Sequence, residues 1–414
     1  MKRIILLAAC AALCGCPNNS GNDGGSGGGS ATGGGSATGG GSATGGGSAT
    51  GGGAATGGGS ATGGGSATGG GSATGGGSAT GGGSGTGGGA VDAGDPCLTA
   101  TFDAVLGTLK LDGGATISQA ASLPAGIINI VPLNGGLYGL GYDDFVYPLG
   151  SLPTLTAGTA LADTVAPADR DGGTLYPSVY LATNGTRLLA GYTTPAANYP
   201  GNVAIVELDG GVRYVSAPGN YSATGLSSGF AISGAGLGND VGVELYWLGN
   251  DGGTFRLATL DGGAMPASGF TATTANDVLL LGYLSVGDLT NHVFAVPPAL
   301  YSPAIASGTA FALDSALEIA NSPDLLAIGT AGDDAILVYG GYRASDFLGY
   351  TSRVERLPLT LNGSTVTVGT AQTLLSSPDE CTNVNFAVAE GSKVLLVVSN
   401  NDGTFTSRVL EVNP

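Results

Sequence analysis

The stretch that decides the fold is Gly191-Tyr192, a loop from Thr193 to Asn202, the apolar run Val203-Ala204-Ile205-Val206-Glu207-Leu208, and the turn Asp209-Gly210-Gly211. An apolar run closed by Gly-Tyr, a variable loop, a second run and an Asp-Gly pair read as two consecutive strands of an antiparallel meander. Asp-Gly and Asn-Gly suit the positive backbone dihedrals of tight hairpin turns. Similar pairs recur at Asp112-Gly113-Gly114, Asn134-Gly135-Gly136, Asp261-Gly262-Gly263, Asn362-Gly363 and Asp402-Gly403. Further strands are expected over Leu109 to Leu111, Val243 to Leu248, Val278 to Tyr283, Ala335 to Tyr339 and Val394 to Val398. No stretch shows a helical period.

The Gly-Tyr mark returns at Gly141-Tyr142, Gly282-Tyr283 and Gly341-Tyr342, with degenerate counterparts near Gly238 and Val398. A spacing of about 45 to 60 residues accommodates four short strands per repeat, the period of propeller blades. In periodicity alone the region 97–414 resembles bacterial β-propellers. The expectation is an all-β, six-bladed β-propeller, with five or seven blades as the alternatives. The last repeat supplies three strands, near Val384 to Val388, Val394 to Val398 and Phe405 to Val412. The segment Thr99 to Leu111 is expected to close the ring as its fourth.

In such a blade the loops after strands one and three share one face, and those after strands two and four share the other. The Asp-Gly-Gly turns follow strand three, which predicts a plain face there. The Gly-Tyr marks end strand two and lead into longer, dissimilar loops, and diverse loops on a rigid frame are where binding resides. The candidate ligand-binding set is therefore Tyr142, Asp143, Asp144, Tyr192, Tyr199, Tyr283, Asp288, His292, Tyr342, Arg343 and Asp346. The preferred reading of each tyrosine is packing between blades with its hydroxyl reaching water. His292 reads as a surface strand residue. Asp143-Asp144 and Asp333-Asp334 have the chemistry to ligate calcium, but solvated turn acids are preferred and no cofactor is expected.

Motifs for chemistry fail on context. Gly225-Leu226-Ser227-Ser228-Gly229 matches the serine-hydrolase elbow in letters, but that elbow needs a strand-to-helix turn in an α/β sheet. Asn250-Asp251-Gly252-Gly253-Thr254-Phe255 is a short-register likeness of the Asp-box of sialidase propellers, and Asp169-Arg170-Asp171-Gly172 opens a calcium loop without its later ligands. The chain is accordingly expected not to be an enzyme.

Upstream lies a glycine tract, from about Gly21 to Gly89, repeating Gly-Gly-Gly-Ser-Ala-Thr. Lacking apolar side chains to offset ordering entropy, residues 16–96 are expected to be a disordered linker with a root-mean-square span of roughly 50 Å. The net charge of −18, with 10% of the 414 residues charged, argues against nucleic acid as a partner.

The start, Met1-Lys2-Arg3 followed by apolar residues to Leu13, reads as a secretory signal over residues 1–15. Leu13-Cys14-Gly15-Cys16 resembles the lipobox of bacterial lipoproteins. That resemblance implies lipidation of Cys16, anchorage to the membrane through lipid, and, with no Asp after the cysteine, the outer membrane. Cys97 and Cys381 remain, and an even pair in an exported chain reads as a disulfide, worth about 5 kcal/mol at most in the chain-entropy account. Together these features predict a lipoprotein displaying a propeller as a binding or assembly module for an envelope protein or glycan, with a propeller-type hydrolase or lyase of the envelope, or a structural spacer without a ligand, as the alternatives.

Overall fold

The structure is a computed structural model. It describes eleven three-residue segments between Gly24 and Thr86, Cys97, and residues 102–170, 180–193, 201–217, 222–235, 242–259, 265–266, 269–285, 289–343, 348–401 and 406–414. Residues 1–99 and 100–414 are separate compact units.

The second unit is a six-bladed β-propeller. Blade 1 is built of Ile127–Leu133, Gly136–Gly141, Phe145–Ser151 and Thr154–Leu155, and blade 2 of Leu181–Thr183, Leu188–Thr193, Gly201–Val206 and Val212–Ala217. Blade 3 comprises Ser222–Leu226, Gly229–Ala235, Gly242–Gly249 and Thr254–Thr259. Blade 4 comprises Gly269–Thr273, Leu279–Leu284, Asn291–Val296 and Leu317–Ser322. Blade 5 contains Leu325–Ala331, Asp334–Tyr342, Gly349–Leu357 and Gln372–Ser376; blade 6 contains Thr382–Glu390, Lys393–Asn400 and Ser407–Asn413. Within each blade the strands pair antiparallel in sequence order. The first strands of successive blades adjoin one another around the ring, and that of blade 6 meets that of blade 1.

The core explains why the apolar runs are nearly continuous. Along Gly201–Val206, Ala204 and Val206 pack with Val131, Leu133 and Leu140 of blade 1, whereas Val203 and Ile205 pack with Phe230, Ile232 and Leu248 of blade 3. Side chains alternate across a strand, so a blade sandwiched between two others needs both faces apolar. Six such clusters each lie between one blade and the next, the last joining Leu395, Val397 and Val409 of blade 6 to Ile130, Leu137 and Leu149 of blade 1. Fully burying each Leu, Ile or Val contributes about 1.5–3 kcal/mol.

Ring closure comes from the N-terminal side as expected, but from a later segment. Thr116–Ser122 is the fourth strand of blade 6, antiparallel to Ser407–Asn413, with a bulge between Ile117 and Gln119. Within the expected Thr99 to Leu111, Phe102–Leu106 is a short helix, and Lys110–Leu111 pairs with Gln372–Ser376 as a fifth strand of blade 5. Thr116–Ser122 buries fully only Ala121, so its sequence lacks the apolar alternation that marks inner strands. Cys97 and Cys381 are both disulfide-bonded and buried.

One helix of ten residues, Pro298–Ser307, departs from the all-strand expectation. Its signals are terminal rather than periodic: Pro at the first turn and Gly308 at φ 67°, whose N–H donates to Ala304 O. It buries only Tyr301 and Ala304, too little to print a helical stripe.

The first unit also differs from expectation. Its Ser-Ala-Thr triplets form short strands, each paired in parallel with the triplet twelve residues on, as Ser30–Thr32 with Ser42–Thr44 and Ser36–Thr38 with Ser48–Thr50. They make one sheet of six strands and one of five. Composition counted side chains, whereas an exact repeat keeps identical backbones in register and lets their amide groups satisfy one another. At about 4.8 Å per strand the six-stranded sheet rises only about 24 Å. The signal 1–15 and Cys16 lie outside the described residues.

Candidate functional site

The loops between second and third strands form the face on which the candidate set was placed. In blade 1 that loop is a tight turn, Tyr142-Asp143-Asp144. Asp144 sits at φ 65° with its N–H donating to Gly141 O at 3.1 Å. Asp143 accepts from Phe145 N at 3.3 Å and, through Oδ2, from the Tyr147 hydroxyl at 2.6 Å. That bond raises the Tyr147 phenol above its ordinary pKa, with lesser contributions from burial and the Asp143 charge. The Asp144 carbonyl accepts from Thr164 N at 2.9 Å and Thr164 Oγ1 at 2.6 Å. Both acids thus hold the turn, and Tyr142 projects from it, 70% exposed.

In blade 2, Tyr192 is 1% exposed. Its hydroxyl donates to Asp169 and accepts from Ala166 N at 3.1 Å, while Asn202 Nδ2 donates to the same Asp169 oxygen at 3.2 Å. Burial first, then the Asp169 bond, pushes the phenol far above its ordinary value. Asp169, which opened a calcium-loop likeness, is therefore engaged with Tyr192 and Asn202.

In blade 4, Tyr283 is 8% exposed and stacks on His292, centroids 5.2 Å apart, and on Phe294 at 5.9 Å. His292 Nδ1 lies 2.7 Å from Glu318 Oε1 across the third and fourth strands. In blade 5, Tyr342 is 58% exposed, while the next residue, Arg343, is buried. Arg343 N donates to Leu348 O at 2.9 Å, and Nη1 to Asn401 O of blade 6 at 3.4 Å. Tyr199, Asp288 and Asp346 lie outside the described residues.

The structure thus separates the set into exposed Tyr142 and Tyr342, the buried Tyr192 and Tyr283, the half-buried His292 stacked on Tyr283, and Arg343 at a blade junction. Sequence reasoning missed Asn401, whose Nδ2 donates to Gly349 O at 2.9 Å and Glu380 O at 3.1 Å, and whose N donates to Cys381 O at 2.8 Å. The only available sign was an Asn ahead of Asp402-Gly403, read there as simple turn chemistry.

The opposite face is not plain. The connection between third and fourth strands in blade 4 carries the helix Pro298–Ser307, and in blade 5 it carries the hairpin Leu359–Asn362 with Thr365–Val368. Gly225-Leu226-Ser227-Ser228-Gly229 is the hairpin between the first two strands of blade 3, not a strand-to-helix elbow. A β-carbon at Gly225 would stand 1.9 Å from Thr183 O, so this glycine answers to close blade packing.

No family model and no curated protein sequence matches the chain. Among solved structures it is similar to a putative oxidoreductase (glucose dehydrogenase) from Thermus thermophilus, at 12% identity over 72% of this chain and 100% of that one, TM-score 0.46. It is also similar to the soluble aldose sugar dehydrogenase of Escherichia coli, at 11% identity over 74% and 100%, TM-score 0.42. A third is the β-propeller domain of the Trilobed protease from Pyrococcus furiosus, at 10% identity over 56% and 71%, TM-score 0.34. At these identities the likeness is one of fold alone. The expectation that the chain is not an enzyme is corrected: two of these proteins are named as dehydrogenases and the third is part of a protease, so the exclusion of catalysis is withdrawn. No chemistry passes to this chain from them.

Proposed function

We propose that the chain is a lipid-anchored envelope protein whose propeller serves as a binding or assembly module, engaging a protein or glycan through the loops between second and third strands. One observation carries the reading. Among the described residues the two most exposed large apolar side chains are Tyr142 and Tyr342, and both stand at the end of a second strand on that face. Each is seated on a rigid support, Tyr142 on a turn pinned by Asp143 and Asp144, Tyr342 beside the buried Arg343. A rigid aromatic with a polar tip loses little conformational entropy on binding and contacts both sugar faces and protein surfaces.

The test is crosslinked capture from intact envelopes, and binding to envelope glycan fractions, by the full chain and by a Tyr142→Ser/Tyr342→Ser variant. A single tyrosine at the centre of an interface contributes about 2 kcal/mol, about 30-fold in affinity. Full retention of partners by the double variant overturns the choice of face. For the anchor, Cys16→Ala is expected to release the protein from membranes, and persistent attachment of that variant overturns lipidation there.

A further inference from the structure

The innermost strands set one end of blade 6 apart from the other blades. First strands adjoin one another around the ring, and in blades 1, 5 and 6 each carries one extra residue near its start, where the register passes from Ile127 to Asn129, from Leu325 to Ala327 and from Val384 to Phe386. A bulge of this kind re-aims the extra side chain out of the ladder. In blades 1 and 5 that residue is apolar and half-buried, Ile128 and Leu326; in blade 6 it is Asn385, and it is exposed. Its Oδ1 accepts from Asn383 Nδ2 at 2.8 Å and from Ser399 Oγ at 3.2 Å. Asn383 Oδ1 accepts in turn from Thr351 Oγ1 of blade 5 at 3.4 Å. Two donors on the oxygen fix the orientation of the Asn385 amide, and its Nδ2 donates to no acceptor among the described residues.

This row of amides runs up to Tyr342. Gly349 is paired with Tyr342 on blade 5, and a β-carbon there would stand 3.7 Å from the Asn383 amide, while Asn401 Nδ2 donates to Gly349 O at 2.9 Å. The exposed phenol and the amides of Asn383 and Asn385 thus share one end of two neighbouring blades. Behind them Thr382 and Asn400, paired across the first two strands of blade 6, are 1% and 2% exposed. The Thr382 hydroxyl and both ends of the Asn400 amide have no hydrogen-bond partner among the described residues. This end of the blade is polar beyond what its own hydrogen bonds use.

We propose that Tyr342, Asn383 and Asn385 form a subsite for an uncharged glycan, an assignment that rests on the reading of this face as a binding surface and names its ligand class. The side chains decide the class. No carboxylate stands in the row to hold a cation, and no lysine or arginine stands in it to hold a phosphate or a uronate. Arg343, next to Tyr342 in the chain, is buried and donates to Asn401 O at 3.4 Å. Sugar hydroxyls donate and accept at once, and a row of planar amides and hydroxyls meets both needs with no charge to desolvate. The phenol ring covers the apolar face of one sugar, and the Asn385 N–H groups donate to hydroxyl oxygens of its neighbour in the glycan.

The test is an array of neutral and anionic oligosaccharides probed with the full chain, followed by titration of the tightest neutral member into parent and variants. Binding is expected at neutral members, with no preference for those bearing uronate or phosphate. Asn385→Leu installs the side chain that blade 5 carries at its bulge; it is expected to keep the melting temperature and to weaken the glycan about tenfold. Asn385→Ala is expected to weaken it by a similar factor, and decides the point should Asn385→Leu fail to fold. Tyr342→Phe, which keeps the ring, is expected to stay within about threefold of the parent, against a loss of about 30-fold in Tyr342→Ser. An array silent at every neutral member, a preference for anionic members, or unchanged affinity in both Asn385 variants overturns the assignment. Crosslinked capture judges the face separately. A protein partner lost by Tyr142→Ser/Tyr342→Ser beside a silent array leaves the face standing and removes the glycan, whereas capture and glycan binding both unmoved in that variant remove the face and the subsite with it.

Discussion

Blades 1 and 5 carry the same Gly-Tyr mark as blades 2 and 4, at the same place in the repeat, with opposite outcomes. Tyr142 and Tyr342 meet solvent, whereas Tyr192 and Tyr283 are buried. The difference lies in how the second strand ends. In blade 2 it runs on through Thr193, Tyr192 is paired with Asn202, and the segment bearing Ala166 and Asp169 lies over its hydroxyl. In blade 4 Tyr283 is paired with His292 and continues an aromatic stack. In blade 1 the strand stops at Gly141 and turns at once. In blade 5 the ladder slips between Tyr339 and Gly340, and a β-carbon at Gly340 would stand 1.8 Å from Tyr350 O. The mark fixes a position in the repeat; the strand's register fixes which way its tyrosine points.

The contrast breaks most visibly from its buried side. Tyr192→Ala is expected to cost about 4 kcal/mol, because it opens a cavity and leaves Asp169 and the Ala166 N–H short of a partner. Tyr283→Ala is expected to cost about 3 kcal/mol, since its ring is stacked against His292 and Phe294 but is slightly more exposed than that of Tyr192. Denaturant midpoints measure both, and a loss under about 1 kcal/mol in either would show that the ring is not part of the packed blade.

Gly340→Ala sharpens the comparison from blade 5. The added methyl collides with backbone at Tyr350, and backbone cannot swing away as a side chain can, so about 2 kcal/mol is expected. If the bulge sets the direction of Tyr342, the variant's tyrosine fluorescence and iodination at residue 342 change with it. A stable variant with an unchanged Tyr342 would remove register as the cause.

How far the sequence carried these points depended on which side chains the fold uses. Val203 to Val206 was legible because both faces of that strand are core, and the six-fold repeat followed from the four Gly-Tyr marks with their two degenerate counterparts near Gly238 and Val398. The closing strand was placed too early because Thr116–Ser122 buries one alanine and relies on backbone pairing. Asn401 and Asp169 were illegible for a related reason, since their roles are hydrogen bonds to residues 20 or more positions away. The Ser-Ala-Thr strands show the limit from the other direction, with pairing specified by exact repetition and no side-chain pattern to announce it.

The hydroxyl of Tyr192 separates its packing from its polar tip. A phenol raised by folding contributes stability below the ordinary tyrosine range that is lost as pH climbs through and beyond about 10. Tyr192→Phe is expected to cost about 1 kcal/mol at neutral pH and to flatten part of that alkaline loss, read from melting temperature against pH.

The smallest effect is the most discriminating. Tyr142→Ala and Tyr342→Ala remove rings that bury little, so each is expected to shift stability by no more than about 0.5 kcal/mol. A tyrosine kept at the surface by fold requirements would cost more on removal, because its absence would unpack its own turn. Here the Asp143 bonds to Phe145 N and Tyr147, and the Asp144 bond to Gly141, hold the turn without the Tyr142 ring. Matching denaturation curves for parent and variants would leave these two rings without structural work, and would bind their place on the loops to contact with something outside the chain. A loss near that of Tyr283→Ala would instead make them packing residues like their counterparts in blades 2 and 4, and the proposed face would lose its support.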